Sequence, residues 1–227
     1  MEQALDPQSR ILQAARQLFF ARGFAKTQLR AIASEAGTSE SGVLRFYESK
    51  TVLLRAVCES CWAQVNTILD SALAAAAQRD PDPRNLLVQL MRTVLTYAQT
   101  DQPMMTFLQT HFASPEAIGF LPPNGGSGEA YLSAGREFHR YMGRISDLCG
   151  HVVAQRPGFA ATGVTVLALT HVVQSAIYGL QASWYIADQE QAPASAKLSV
   201  EEGVAVLRCL LYQNAAADSA AAATIVS

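Results

Sequence analysis

Proline, glycine and cysteine are scarce in this chain of 227 residues, and each scarcity narrows the class of protein. Nine prolines and fourteen glycines beside a hydrophobic fraction of 50% argue against disorder, except at the ends, and favour a buried core. The cysteines have no disulfide-framework spacing: Cys58, Cys61, Cys149 and Cys209. The start, MEQALDPQSR, is polar and lacks a signal peptide, so we expect a reducing, cytoplasmic location.

Charge is missing from residues 158–187, which contain no Asp, Glu, Lys or Arg. A long uncharged run can indicate a membrane span, but this one carries many Thr, Ser, Gln and His residues, which are costly in lipid. No basic cluster flanks it. We therefore expect no membrane span, and instead a helix buried in a core or in a subunit interface.

Net charge is also small, at −2, which argues against a general nucleic-acid binder. Its distribution is uneven, because residues 1–57 carry +3 and the remainder −5. A basic head on an acidic body predicts a local contact with phosphates, with the rest of the chain kept away from them.

Hydrophobic residues recur at helical spacing throughout, and no convincing alternating strand appears, so we predict an all-α fold. Gly23 and Gly37 end the first two helices, and the DPDP segment ends the fourth. A capping box, Ser199 to Glu202, opens the last helix. A helix is predicted directly after DPDP, with Leu86, Leu87, Leu90, Val94 and Leu95 on its apolar face. The later helices are predicted at about 103–112, 129–155, 160–187 and 199–214, with a turn at 114–115, a loop at 119–128 and a frayed tail at 215–227.

A helix-turn-helix is predicted after the glycine break at Gly23. Its third helix begins with small polar residues, Ser39 to Gly42, which allow a close approach to the major groove of DNA. Thr27 and Lys50 stand at helix starts and are natural phosphate contacts, while Arg45 can reach a phosphate or a guanine edge. The alternative is a small helical bundle in which the same residues are ordinary caps.

The joint pattern resembles the N-terminal domain of the TetR family of bacterial transcriptional regulators. The matching elements are RILQAARQLF at 10–19, GF at 23–24, Thr27, IASEAGTS at 32–39, SK at 49–50 and LL at 53–54. The resemblance implies a DNA-binding domain at 6–66, with the helix-turn-helix at about 28–47, and a helical ligand-binding and dimerisation domain at 67–214. The sequence itself offers no metal-ligand spacing of histidines, no nucleophile–base pair, no Gly-rich phosphate loop and no carboxylate constellation, so we expect no enzyme activity, cofactor or metal.

The DNA contacts that the residues and the resemblance together predict lie in and around the third helix. They are Thr27, Thr38, Ser39, Glu40, Ser41, Gly42, Leu44, Arg45, Phe46, Tyr47 and Lys50. Two residues depart from the family pattern. Leu44 lacks the hydroxyl that a Tyr would offer a phosphate, and Glu40 repels phosphate but can accept from a cytosine amine. Both departures bear on the operator sequence rather than on DNA binding itself.

The resemblance makes the C-terminal body a dimer and a receptor. We expect two reader helices on a near-palindromic operator, and an interface built from the helices at 160–187 and 199–214. We expect a repressor released by a small apolar or aromatic effector. The candidate ligand residues, for each of which core packing is the competing role, are Phe107, His111, Tyr141, His171, Gln174 and Tyr178.

Two other functions remain open from the sequence. Cys58 and Cys61 form a C-x-x-C pair on one helix face, which permits a redox or metal-responsive regulator, although two small packing residues would look the same. The second is a helical small-molecule-binding protein with a vestigial DNA-binding head.

Overall fold

The computed structural model describes residues 6–112, 135–156, 163–191, 193 and 197–212. Every regular element within these ranges is an α-helix, so the predicted all-α fold is confirmed. In chain order the helices are α1 (Pro7–Arg22), α2 (Leu29–Glu35), α3 (Glu40–Phe46), α4 (Lys50–Arg79), α5 (Pro83–Thr100), α6 (Gln102–Phe112), α7 (Gly135–Ala154), α8 (Val166–Gln189) and α9 (Val200–Tyr212).

The chain divides into two compact units. The first is Met1–Gln64 with Asp101–His139, and the second is Val65–Thr100 with Arg140–Ser227. The long helices α4 and α7 each contribute residues to both units. The first unit therefore contains α6 in addition to the three N-terminal helices, and the boundary predicted at residue 66 stays a prediction.

The first helix begins and ends at the residues that local chemistry favours. The Asp6 carboxylate accepts from the backbone N–H groups of Gln8 and Ser9 at 2.9 and 3.1 Å, and Pro7 occupies the first helical position. Gly23 ends the helix with φ of 77°, a value that side chains with a Cβ disfavour. Between these ends α1 buries one apolar stripe: Ile11, Ala14, Ala15, Leu18 and Phe19.

The turn between α2 and α3 depends on Gly37, whose φ of 65° lies in the left-handed region. The following N–H, of Thr38, donates to the carbonyl of Ala33 at 2.9 Å and closes the end of α2. Ile32 and Val43 are fully buried on either side of this turn. Two short helices thus share one core, which is the arrangement that the sequence predicted.

The second unit is built on α5, which packs against α8 and α9. Leu87, Leu90 and Leu95 of α5 are fully buried. At its outer edge Arg92 donates to both carboxylate oxygens of Glu201 at 2.9 Å, a bidentate ion pair between α5 and α9.

The predicted capping box at the start of α9 is present. The N–H of Glu202 donates to the Ser199 hydroxyl at 3.1 Å, and the Glu202 carboxylate accepts from the N–H of Ser199 at 2.7 Å.

The predicted start of α8 at residue 160 is wrong. Gly163 has φ of 74°, and Thr165 caps a helix that begins at Val166, accepting from the N–H of Ala168 at 3.1 Å. Residues 160–162, the predicted turn at 114–115, the loop at 119–128 and the tail at 215–227 lie outside the described residues. Within the described ranges, no helix is both long and apolar enough to cross a membrane.

Replacing Phe19 by Ala should destabilise the first unit by about 3–5 kcal/mol, since a buried aromatic ring is removed and the cavity closes only in part. Phe19 is 1% exposed, and its ring stacks on Phe107 at 6.3 Å and meets Phe24 edge-on at 5.4 Å. Urea unfolding measures the change. Gln13→Ala, on the exposed side of α1, serves as the control, and a loss below about 1 kcal/mol for Phe19→Ala would contradict this packing.

Candidate nucleic-acid interface

One face of α3 is buried and the other is open. Val43 is fully buried and Tyr47, one turn later, is 5% exposed. The opposite side is exposed along its length: Glu40, Ser41, Leu44 and Arg45. Because the buried side fixes how the helix rotates about its axis, the exposed side points in one defined direction.

The N-terminus of α3 is capped within the helix itself. The Ser39 hydroxyl accepts from the N–H of Gly42 at 3.1 Å and shares a hydrogen bond of 2.9 Å with the Ser41 hydroxyl. A Cβ on Gly42 would lie 2.3 Å from Oγ1 of Thr38. Glycine therefore lets the Thr38 side chain pack against the first turn, and the whole predicted group from 38 to 42 forms one compact surface.

Tyr47 does not share the exposed face of α3 with the other predicted contacts. Its hydroxyl donates to the carbonyl of Gln8 at 3.5 Å, and burial raises the pKa of the phenol above its ordinary value. Phe46 is half-buried, with the Arg45 guanidinium 5.1 Å from its ring centroid. Tyr47 thus packs on the buried side of α3, and the ring of Phe46 contacts the Arg45 side chain.

Thr27 is 2% exposed, and its hydroxyl is used inside the protein. It donates to the carbonyl of Gly23 at 2.8 Å and lies 3.3 Å from the carbonyl of Leu18. The residue closes the loop between α1 and α2. A phosphate contact at Thr27 stays a prediction, for which the hydroxyl would have to leave these carbonyls.

Lys50 at the start of α4 holds the same loop. Its ammonium group donates to the carbonyls of Phe24 and Thr27, both at 3.0 Å, and lies 4.3 Å from the centroid of the Phe24 ring. Lys50 is only half-buried, so its charge also contributes to the surface beside α2 and α3. It therefore positions the loop in addition to its predicted role as a phosphate contact.

Arg16 has a structural role that the sequence did not indicate. Its guanidinium donates to Gln64 at 2.9 Å and to Asp101 at 3.4 Å, and lies 5.3 Å from the Phe20 ring. It thereby joins α1 to α4 and α6 within the first unit. No local sequence signal could have shown this, because the partners are 48 and 85 residues away.

The predicted ligand residues do not form a single group. Phe107 belongs to the aromatic core of the first unit, where its ring is 4.9 Å from that of Phe20. His171 is exposed, and its place in a ligand pocket stays a prediction. The side chain of His111 lies outside the described residues.

Three predicted ligand residues are buried together in the second unit. Tyr141 of α7 is 1% exposed and Gln174 of α8 is 4% exposed. The hydroxyl of Tyr178, one turn beyond Gln174, is also buried. The Gln174 amide faces both hydroxyls, which places the three side chains in one cluster.

Cys58 and Cys61 are both buried, at 3% and 0% exposure. Burial raises the pKa of the Cys61 thiol to about 11 and that of Cys58 further, so both are protonated at neutral pH. Metal binding and disulfide exchange need the thiolate. Among the described residues no three His, Cys, Asp or Glu side chains are grouped to hold a metal ion.

The fold and the open face of α3 together define a helix-turn-helix protein with an appended helical body. Residues 11–57 match the family model described as bacterial regulatory proteins, tetR family. The resemblance to the TetR family is thereby confirmed. Among proteins of curated function, no sequence matches the chain.

Solved structures of transcriptional regulators share this fold. The fatty acid degradation regulator FadR of Bacillus halodurans is 14% identical, with a TM-score of 0.66 over 92% of this chain and 96% of that chain. FadR of Bacillus subtilis, solved in complex with stearoyl-CoA, is 13% identical, with a TM-score of 0.62 over 90% and 97%. A TetR-family regulator from Mesorhizobium loti is 20% identical, with a TM-score of 0.62 over 90% and 95%.

Arg45→Ala should weaken binding to a cognate duplex about fivefold or more and lower the slope of log affinity against log salt by about 1, because one exposed cation is lost from the face of α3. Fluorescence anisotropy across a salt series measures both quantities. Arg79→Ala removes one exposed arginine from the second unit and is the matched control. Equal effects of the two changes would contradict the assignment of α3 as the reader helix.

Lys50→Met should lower the free energy of unfolding by about 1 kcal/mol, since the Thr27 carbonyl loses its ammonium donor and the Phe24 carbonyl keeps only the N–H of Thr27, while the aliphatic stem is kept. Lys26→Met, an exposed cation in the same loop, should leave stability unchanged. Chemical denaturation compares the two variants. If both are as stable as the wild type, Lys50 does not hold the loop.

Proposed function

We propose that this chain is a dimeric transcriptional regulator that binds a near-palindromic operator through α3. The observation that carries this proposal is the division of α3 into a buried side, Val43 and Tyr47, and an exposed side that includes Ser41 and Arg45. A short helix with one side anchored and the other open, flanked by a basic surface, is suited to enter the major groove. Such a regulator acts in the cytoplasm, where the operator is.

A second copy of the chain is the partner that α8 and α9 favour. Their exposed side carries large apolar residues: Leu167, Val172, Tyr185, Ile186, Leu198, Val206 and Leu210. A cleft of about 330 Å³ opens there, and its lining includes Ala176, Gly179 and Val206. Apolar surface of this extent is costly in water. Two copies paired through it would present two reader helices roughly 34–36 Å apart, one turn of DNA.

Control by a small ligand is the second part of the proposal. The cluster of Tyr141, Gln174 and Tyr178 offers buried polar groups among the apolar side chains of the second unit, which is typical of a small-molecule site. The stearoyl-CoA complex of the Bacillus subtilis regulator supports a ligand-responsive use of this fold. The ligand releases a repressor from its operator only if it binds the DNA-free state more tightly.

The two alternatives are less well supported. A redox or metal sensor at Cys58 and Cys61 would require thiolates, and both thiols are buried with raised pKa. A vestigial DNA-binding head would have no need for the anchored, open helix described above. The solved structures with the same fold that are described as regulators also favour regulation over catalysis.

Selection of bound sequences from a random DNA pool, at physiological salt, tests the proposed function. A two-fold symmetric motif is the expected result, since two identical readers are related by a dimer axis. An asymmetric motif would contradict the dimeric operator. If folded protein enriches no motif at all, the proposal of a DNA-binding regulator is wrong for the ligand-free chain.

Val206→Glu should convert the dimer to a monomer and weaken operator binding at least about tenfold, because a carboxylate would be buried in an apolar interface. Ala205→Glu is the matched control, since residue 205 is exposed on the same helix but outside the cleft. Sedimentation velocity determines the oligomeric state of both variants. A dimer that tolerates Val206→Glu is formed by some other surface.

A further inference from the structure

The cluster of Tyr141, Gln174 and Tyr178 contains polar atoms that the protein does not satisfy. Neither atom of the Gln174 amide forms a well-aligned hydrogen bond with a described residue, and the same holds for the Tyr178 hydroxyl, although the amide lies near the hydroxyls of both Tyr141 and Tyr178. A buried amide without partners costs free energy, and such groups are rare in folded proteins. An orphaned donor and acceptor on one side chain thus call for a specific partner.

The hydroxyls of the cluster remain donors at physiological pH. Burial raises the pKa of Tyr178 to about 12 and raises that of Tyr141 well above its ordinary value. The Gln174 amide faces both hydroxyls and lowers both pKa values, but this effect is smaller than that of burial. Tyr178 as a whole residue is half-buried, although its hydroxyl is buried.

Around Gln174 and Tyr178, the helix α8 that carries them has no charged side chain of the Asp, Glu, Lys or Arg type that could pair with a charged ligand. From Val166 to Ala187, α8 has no Asp, Glu, Lys or Arg. The arginines of α7 next to Tyr141 in sequence are already engaged: Arg140 donates to Asp70 at 2.7 Å, and Arg144 donates to Asp70 and Asn66.

One further cation of the second unit, Arg156, is buried and donates to the carbonyl of Leu211 at 2.6 Å. A carboxylate or phosphate at Gln174 would therefore lose its hydration, and α8 from Val166 to Ala187 has no Lys or Arg to pair with it. Burial of an unpaired charge is far more costly than burial of a neutral polar group. The charge distribution thus favours an uncharged ligand.

We propose that Gln174 and Tyr178, with Tyr141 opposite them, recognise an uncharged carboxamide group on a small apolar ligand. The ligand carbonyl accepts from the Gln174 amide and from a tyrosine hydroxyl, and the ligand N–H donates to the Gln174 oxygen. The remaining surface of the ligand lies against the apolar residues of α7 and α8. This inference rests on the proposed function, because it names the class of effector for the receptor part of the regulator.

Matched neutral and anionic probes test this chemistry. We would titrate octanamide and 4-butylbenzamide against octanoate and 4-butylbenzoate by calorimetry, with the wild type, Gln174→Leu and Tyr178→Phe. At least one carboxamide should bind the wild type in preference to its carboxylate. Binding should weaken about tenfold or more in Gln174→Leu and about fivefold in Tyr178→Phe, as expected for the loss of two or one neutral hydrogen bonds.

Thr170→Val is the matched control for the loss of a buried hydroxyl on the same helix. Its hydroxyl donates to the carbonyl of Val166 at 2.8 Å and is already satisfied, so carboxamide binding should be unchanged. The ligand-free Gln174→Leu variant should melt at the same or a higher temperature, since an unsatisfied amide is replaced by an apolar group of similar size.

Three results would overturn the inference: no carboxamide binds the wild type, the carboxylates or stearoyl-CoA bind in preference and independently of Gln174, or Gln174→Leu melts at a clearly lower temperature. Operator binding, measured on the same preparations, separates this failure from that of the proposed function. Wild type and Gln174→Leu should bind DNA equally well without ligand. Loss of DNA binding by the wild type would instead count against the regulator itself.

Discussion

The anchoring of α3 by its buried side is the constraint on which the rest of the structure depends. A helix of seven residues is not stable alone, because nucleation costs more than its few hydrogen bonds return. Burial of Val43, which contributes roughly 1.5–3 kcal/mol, and of Tyr47 supplies what the short helix lacks. The same burial determines which residues face outward, so the stability and the orientation of α3 have one cause.

Residues around α3 also fix the loop between α1 and α2 and connect that loop to the start of α4. Lys50 and Thr27 both donate to carbonyls of the segment between α1 and α2, and Gly42 leaves room for Thr38. Several residues expected to contact DNA thus also hold the surface in shape. If Lys50 also contacts DNA as proposed, its substitution should change both DNA binding and stability, whereas substitution of the exposed Arg45 should change DNA binding alone.

The second unit combines an exposed apolar surface with a buried polar group. Its outer side on α8 and α9 exposes Leu167, Ile186 and Val206, which suits a second copy of the chain. Its interior contains an unsatisfied amide at Gln174. The uncharged sequence of α8 is compatible with both proposals, a second copy of the chain against its exposed apolar residues and a neutral ligand beside Gln174.

Local signals made much of the first unit predictable. Asp6, Pro7, Gly23 and Gly37 mark helix ends by chemistry that acts within a few residues, and the structure follows them. The start of α8 was predicted too early, because the apolar run continues past the Thr165 cap and its periodicity does not show where the helix begins.

Contacts between distant segments were not predictable. The role of Arg16 depends on Gln64 and Asp101, and that of Lys50 on the carbonyls of Phe24 and Thr27. The exposure of His171 could not be separated from the burial of Gln174, since both lie on one uncharged helix. Only the packing of the whole chain decides which side of such a helix is inside.

Photocrosslinking from the exposed side of α3 tests directly whether this helix contacts the bases of the operator. A benzophenone amino acid at Leu44, which is 41% exposed, would be irradiated on the operator obtained by selection. We predict crosslinks at two positions related by the two-fold axis of the DNA, and none from the same group placed at Gln13 on α1. Crosslinks from Gln13 but not from Leu44 would contradict the account, because some other surface would then contact the bases.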